Sequence, residues 1–126
     1  MSTYALNKVN LSWSSLQDFT SENVRRYVPT SGGVYLLWVK LQSGKWRCYY
    51  AGQGANLEER LLDHLNSSEL NACIKNHVSQ HINAYCYTSV AKQSDRDGIE
   101  KYLYDVYNPE CNHQDPGGTP IPVNLP

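Results

Sequence analysis

A chain of 126 residues is long enough for one hydrophobic core and too short for two, and 40% hydrophobic with 18% charged residues is the balance of an ordinary globular protein, not of a disordered chain or a coiled coil. Eleven lysines and arginines face twelve acidic residues, a formal charge of −1, so a polyanion would have to be met by local basic groups and not by a general field. No apolar run reaches the roughly 18 residues a membrane span needs, and the start MSTYALNKVN lacks the basic-then-apolar order of a signal peptide.

A cytoplasmic location is therefore expected. Cys48, Cys73, Cys86 and Cys111 are scattered with no C-x-x-C spacing, which points to reduced thiols instead of a disulfide framework.

In chain order, the stretch SWSSLQDFTSENVRRYVPTSG holds several Ser/Thr capping candidates around Leu16, Phe19, Val24 and Val28, and predicts a short helix ending before Pro29. Val34 to Leu41 is a β-rich run, QSGK is a turn, and Trp46 to Ala51 is a second such run, together an antiparallel hairpin. After GQGAN, Asn56 is a good N-cap with Glu59 three residues on, and a helix over 57–66 follows. Leu57, Leu61 and Leu65, widened by Leu62, form its core stripe, and Arg60 and His64 share a face bordering that stripe. ELNACIKNHVSQH predicts a second such helix, and INAYCYTSV alternates as a third strand. Ser94, with Asp97 three residues later, opens a last helix whose core face is Ile99, Tyr102, Leu103 and Val106, with Glu100 at the margin of the buried arc. The tail NPECNHQDPGGTPIPVNLP is rich in Pro and Gly and is expected to wrap the surface in extended form.

Two short clusters stand out in this order: Gly33-Val34-Tyr35 and Tyr50-Ala51-Gly52. Followed by Arg60 and His64 on one helix, Glu100 on a later one, and Asn112 in YNPECN, they resemble the signature of the GIY-YIG nuclease family over residues 33–112. The resemblance implies an α+β fold, a small mixed or antiparallel three-stranded sheet flanked by helices. It divides the chain into an N-terminal extension with a short helix (1–32), a nuclease-like domain (33–112) and an extended tail packed on that domain (113–126). It also implies hydrolysis of DNA phosphodiester bonds with one Mg²⁺ or Mn²⁺ per site.

The residue types suit those roles. Hydrolysis needs an activated water in line with the leaving oxygen, positive charge on the phosphoryl oxygens, and help for the departing oxygen. The planar fork of Arg60 can hold two phosphate oxygens, and Glu100 is of the type that holds Mg²⁺. By resemblance, Tyr35 with His64 forms the base, with Tyr50 as a hydrogen-bonding support; a neighbouring cation and metal are expected to lower the tyrosine pKa. Asn112, Gln53, Lys45 and Arg47 are the candidate substrate contacts.

The chain departs from the family pattern in a longer spacer between the two tripeptides, absorbed by the turn at Ser43-Gly44, and in Gln53-Gly54 where many members carry Lys and Ser/Thr. With so few basic groups, duplex or branched DNA would be bound with the help of a DNA-binding partner or by a homodimer. Two other readings compete. One is a catalytically inactive GIY-YIG-like module for binding nucleic acid or protein, against which the complete Tyr/Tyr/Arg/His/Glu set argues. The other is a zinc-binding domain built from Cys73, His77 and His81 at i, i+4 and i+8 with Cys111 and His113 later, against which stands the lack of a tight ligand pair.

Overall fold

The computed structural model describes residues 9–66 and 68–126, and the side chain of Gln80 is not described. The opening stretch 1–8, read above for a leader and as the start of the N-terminal extension, lies outside the described residues. In order the elements are β1 (Gln17–Asp18), α1 (Ser21–Tyr27), β2 (Gly33–Lys40), β3 (Trp46–Gly54), α2 (Leu57–Leu65), α3 (Ala72–Gln80), β4 (Asn83–Ser89) and α4 (Gln93–Tyr107). The sheet is antiparallel throughout, in the order β1-β4-β2-β3. It has four strands where the sequence predicts three. The added strand is two residues long, too short to carry an alternating pattern, and is held by pairing Gln17 with Tyr85 and Asp18 with Ala84.

β2 is buried along nearly its whole length because both faces of the sheet are covered, which is why it reads as a continuous apolar run. Tyr35, Leu37 and Val39 face one way, with Tyr49 and Tyr85, and pack against Val24 and Val28 of the α1 region, Leu57 and Leu61 of α2, and Ile74 of α3. Val34 and Leu36 face the other way with Cys48, Ala51 and Cys86, and pack against Ile99 and Leu103 of α4 and Val123 of the tail. The tail runs along this second layer: Val123 bridges Val9, and Ile121 N–H donates to Gly98 O at 2.9 Å.

Side chains cap α1 and α2 as the sequence predicts, and α3 through Asn71, which the sequence reading does not single out. The Thr20 hydroxyl accepts from Asn23 N–H at the start of α1, the Asn56 side chain from Glu59 N–H at α2, and the Asn71 side chain from Ile74 N–H at α3. α4, however, starts one residue before Ser94, and its cap Lys92 makes no side-chain bond. The Asp97 carboxylate is instead taken by Gln53 and Gln93. The core face of α4 also differs from the reading above: Val106 is exposed, and the stripe steps by four from Ile99 to Leu103 to Tyr107, whose ring meets Trp38 edge-on at 5.4 Å. The helix ends at Asn108 in the left-handed conformation (φ 46°), just before Pro109.

The thiol expectation is overturned for one pair. Cys73 and Cys111 are joined as a disulfide, their Cα atoms 5.4 Å apart, while Cys48 and Cys86 are free and buried. Spacing gave no sign of this, because 38 residues separate the two and only the packing of α3 against the segment after α4 brings them together.

Candidate active site

β3 is an edge strand, and an edge strand leaves every second pair of backbone groups unpaired. The segment after α4 covers them. Cys111 N–H donates to Tyr49 O at 2.8 Å, the Asn112 amide donates to Ala51 O, and its carbonyl oxygen accepts from Ala51 N–H, both at 2.9 Å. Asn112 therefore clamps the strand between Tyr50 and Gly52. A bulge opposite Leu37 and Trp38 adds Tyr49 to the strand and leaves Tyr50 opposite Leu37, on the face that Tyr35 occupies.

The glycines beside the tyrosines are required by close approach. A Cβ on Gly52 would run into the ring and hydroxyl of Tyr35 and lie 2.8 Å from the ring of Tyr50, and one on Gly54 would come within 2.5 Å of Arg60 Cγ. Gly52 leaves room for the two rings, with centroids 6.2 Å apart, and Gly54 lets the Arg60 stem cross the strand.

α2 supplies the next two groups. His64 is buried, and its Nε2 lies 2.6 Å from the Tyr35 hydroxyl. Its Nδ1 lies 3.2 Å from Oε1 of Glu69, in the loop after α2. A carboxylate only accepts, so Nδ1 carries the proton and Nε2 of the neutral ring is left to accept from the Tyr35 O–H. Burial, and then the Arg60 guanidinium, hold His64 below its ordinary pKa, with Glu69 opposing, so the ring is neutral at pH 7. Tyr50 stands edge-on to the same imidazole at 5.1 Å.

Arg60 by itself does not make the two tyrosines acidic. Burial, and then Tyr50, push Tyr35 well above its ordinary value, and the Arg60 charge only partly offsets this; burial raises Tyr50 as well. A fully enclosed phenol loses more solvation on ionising than one half-exposed guanidinium returns. Arg60, held between the tyrosines and Asp63 (3.8 Å), has its pKa raised by Tyr35 foremost and stays charged.

Glu100 comes from α4, on the other side of β3. Burial, and then the neighbouring Asp97, raise its carboxyl to about 7, against a bond from Gln53 and the charge of Arg60. A half-buried carboxyl beside a second acid is short of positive charge. The donor set fits a hard divalent cation, because Glu100 borders an open cleft of about 460 Å³ whose walls include Tyr50, Asn112 and Asp115, with room for the waters Mg²⁺ keeps. A second cleft of about 410 Å³, sharing Tyr50 and Asn71 with the first, contains Arg60, His64 and Glu69. Tyr50 thus stands between a carboxylate cleft and a guanidinium–imidazole cleft.

Of the candidates named from sequence, the structure brings together Tyr35, Tyr50, Arg60, His64 and Glu100. It does not bring Lys45 and Arg47 to them. Lys45 lies in the hairpin turn, five residues from Tyr50 or about 17 Å along an extended strand. Arg47 is paired with Glu110 at 2.9 Å. Gln53 is near, but its amide is engaged by Asp97, Gln93 and Arg96. Glu69 was missed; it stands in a loop outside any periodic pattern, and only the fold places it behind His64.

Three-dimensional comparison shows what the fold is similar to. The magnesium-bound N-terminal GIY-YIG endonuclease domain of UvrC from Thermotoga maritima matches with a TM-score of 0.55 at 21% identity, over 72% of this chain and 97% of that domain. Two tyrosine-to-phenylalanine mutants of the same domain, bound to its catalytic divalent cation, match with TM-scores of 0.54 and 0.55 at 22% and 20% identity; the first covers 74% of this chain and 98% of its own, the second 72% and 97%. No protein-family model and no curated protein matches the sequence. The chain has the GIY-YIG endonuclease-domain fold, as its sequence motifs imply.

Proposed function

We propose that this chain is a divalent-metal-dependent endonuclease that hydrolyses phosphodiester bonds in DNA, with Tyr35, Tyr50, Arg60, His64 and Glu100 as its catalytic groups. The observation that carries the reading is the 2.6 Å contact between Tyr35 and a His64 whose other nitrogen is held by Glu69. The UvrC domains of this fold that bind a catalytic divalent cation support it.

The base is a relay. Because burial keeps Tyr35 protonated, its hydroxyl takes the proton of the attacking water while giving its own to Nε2 of His64. Glu69 fixes the tautomer that leaves Nε2 free to accept and stabilises the imidazolium that forms. Tyr50 orients the phosphate or water from the wall between the clefts, and Arg60 offers two parallel N–H bonds to the phosphoryl oxygens, where charge builds in the transition state. Glu100 would hold one Mg²⁺ or Mn²⁺, which supplies Lewis-acid stabilisation of the phosphate and leaving oxygen. Asn112 acts on substrate through the strand it clamps, since both ends of its amide are engaged by Ala51.

Residues 33–112 form the nuclease unit in this proposal, with 1–32 and 113–126 as extension and tail. We place it in the cytoplasm, where the Cys73–Cys111 pair would be held as thiols. Arg47 is spent on Glu110 and the net charge is −1, so tight DNA binding would require a DNA-binding partner or a second copy. The test is incubation of purified protein with supercoiled plasmid and a branched oligonucleotide in Mg²⁺, Mn²⁺ or EDTA. Cleavage in either metal and none in EDTA supports the reading. DNA binding with no cleavage in any metal would replace it with the inactive-module reading.

A further inference from the structure

We propose that the reduced chain carries a zinc site, built without Glu100, from Cys73 and His77 of α3 and Cys111 after α4. The donor atoms of these three residues lie within 4.8 Å of one another. Tetrahedral zinc with bonds of about 2.0–2.3 Å sets its ligands about 3.5–3.8 Å apart, so the sulfurs need only separate modestly once the bond between them is cut. Cys73 and His77 stand one helical turn apart on one face of α3, and Cys111 reaches them from a segment anchored by Tyr49 O and Asn71.

His77 is the observation that separates this from a plain structural crosslink. It is only 7% exposed, and its Nδ1 is buried with no hydrogen-bond partner among the described residues. Buried ring nitrogens are ordinarily satisfied, and an orphan of this kind asks for a ligand. Its Nε2 lies 3.0 Å from Oε1 of Glu110, and a carboxylate on the far nitrogen is the support that metal-bound histidines characteristically have: it fixes Nε2–H and frees Nδ1 to coordinate. The ring is stacked on Tyr49 at 4.5 Å, which limits its rotation. Two thiolates and a neutral imidazole cancel the charge of Zn²⁺, so the buried site keeps no net charge, and the fourth position is left to water or an added donor. His81, whose ring is 5.2 Å from His77, is exposed, and neither it nor His113 belongs to the cluster.

The disulfide in the structure is the oxidised form of the same site. A dithiol reductant gives two electrons and two protons to the Cys73–Cys111 bond, leaving two protein thiols and an oxidised reductant disulfide. Binding of Zn²⁺ then releases the two thiol protons to solvent as two Zn–S bonds form. Metal and disulfide are therefore exclusive, and either one ties α3 to the segment that clamps β3.

The test is to reduce the full chain with a phosphine, remove metals, and titrate with Co²⁺ and then Zn²⁺. One equivalent of Co²⁺ should give thiolate-to-cobalt charge-transfer absorption that Zn²⁺ abolishes, and the chain oxidised to the disulfide should give none. Glu100→Gln should keep the band, because a carboxylate site produces no such signal. Cys111→Ser should lose it, with circular dichroism checking the fold, and Glu110→Gln should weaken zinc about 10–100-fold in competition with a chromophoric chelator. Absence of the band in the reduced wild-type chain, or its persistence in the oxidised chain or in Cys111→Ser, would overturn the site.

Discussion

Replacing Tyr35 by phenylalanine separates chemistry from packing. The ring is fully buried in the first core layer and stays; only the hydroxyl, 2.6 Å from His64 Nε2, is lost. Leaving a buried acceptor without its donor costs about 1–3 kcal/mol. For a chain of this size that corresponds to a melting temperature lower by about 3–10 °C. The relay through Tyr35 should be worth about 10²–10⁴ in rate, or roughly 3–5 kcal/mol of barrier. Tyr35→Phe should then remain folded at 25 °C and bind DNA as the wild type does, yet cut at least about a hundredfold more slowly. Single-turnover cleavage and urea unfolding of the same preparation give both numbers. A variant that cuts normally while Tyr50→Phe is dead would assign the proton transfer to Tyr50; if both cut normally, the tyrosines at the glycines only pack.

Arg60→Lys keeps the charge and loses the fork, so single-turnover cleavage should fall about tenfold or more, and Arg60→Ala should fall further; equal rates for wild type and Arg60→Ala would return Arg60 to the solvated face of α2. Glu69→Gln removes the charge behind His64 while keeping a polar group there, so its rate should drop about 10–100-fold and recover in part at high pH, where hydroxide replaces the relay; a pH–rate profile parallel to that of the wild type would make Glu69 structural only. The metal-free chain should lose stability as pH rises from about 4.5 to about 7, because Glu100 is raised in the fold and its stabilisation is complete only below the unfolded value. Its partial exposure reduces the effect to about 1–2 kcal/mol. Urea unfolding in EDTA should show this slope in the wild type and not in Glu100→Gln, and identical slopes would contradict the buried, acid-paired setting of Glu100.

The parts of this molecule that were legible in sequence are those set by short-range pattern. The hairpin, the Leu57–Leu61 stripe with Arg60 and His64 beside it, and Glu100 at the edge of the α4 core arc all follow from periods of 2 and 3.6 residues. What could not be read depends on distant segments meeting. Gln17–Asp18 becomes a strand only because β4 offers an edge, and Cys73 finds Cys111 only when the chain after α4 folds back over β3. Asn112 was named for its motif, but its amide grips Ala51, a partner 61 residues away that no local rule gives. The net shift of Tyr35 is illegible in sequence for the same reason: Arg60 lowers its pKa, but the depth of burial, which outweighs that single charge, belongs to the whole core.

The central claim is that a metal held by Glu100 works with the Tyr35–His64 relay on one phosphodiester. Its most direct test is single-turnover cleavage of plasmid DNA by wild type and Glu100→Gln, side by side in Mg²⁺. The wild type should nick the DNA and stop in EDTA, while Glu100→Gln, folded and still binding DNA, should be slower by at least about a hundredfold. A Glu100→Gln protein that cuts at the wild-type rate, or a wild-type chain that cuts equally well in EDTA, would contradict it.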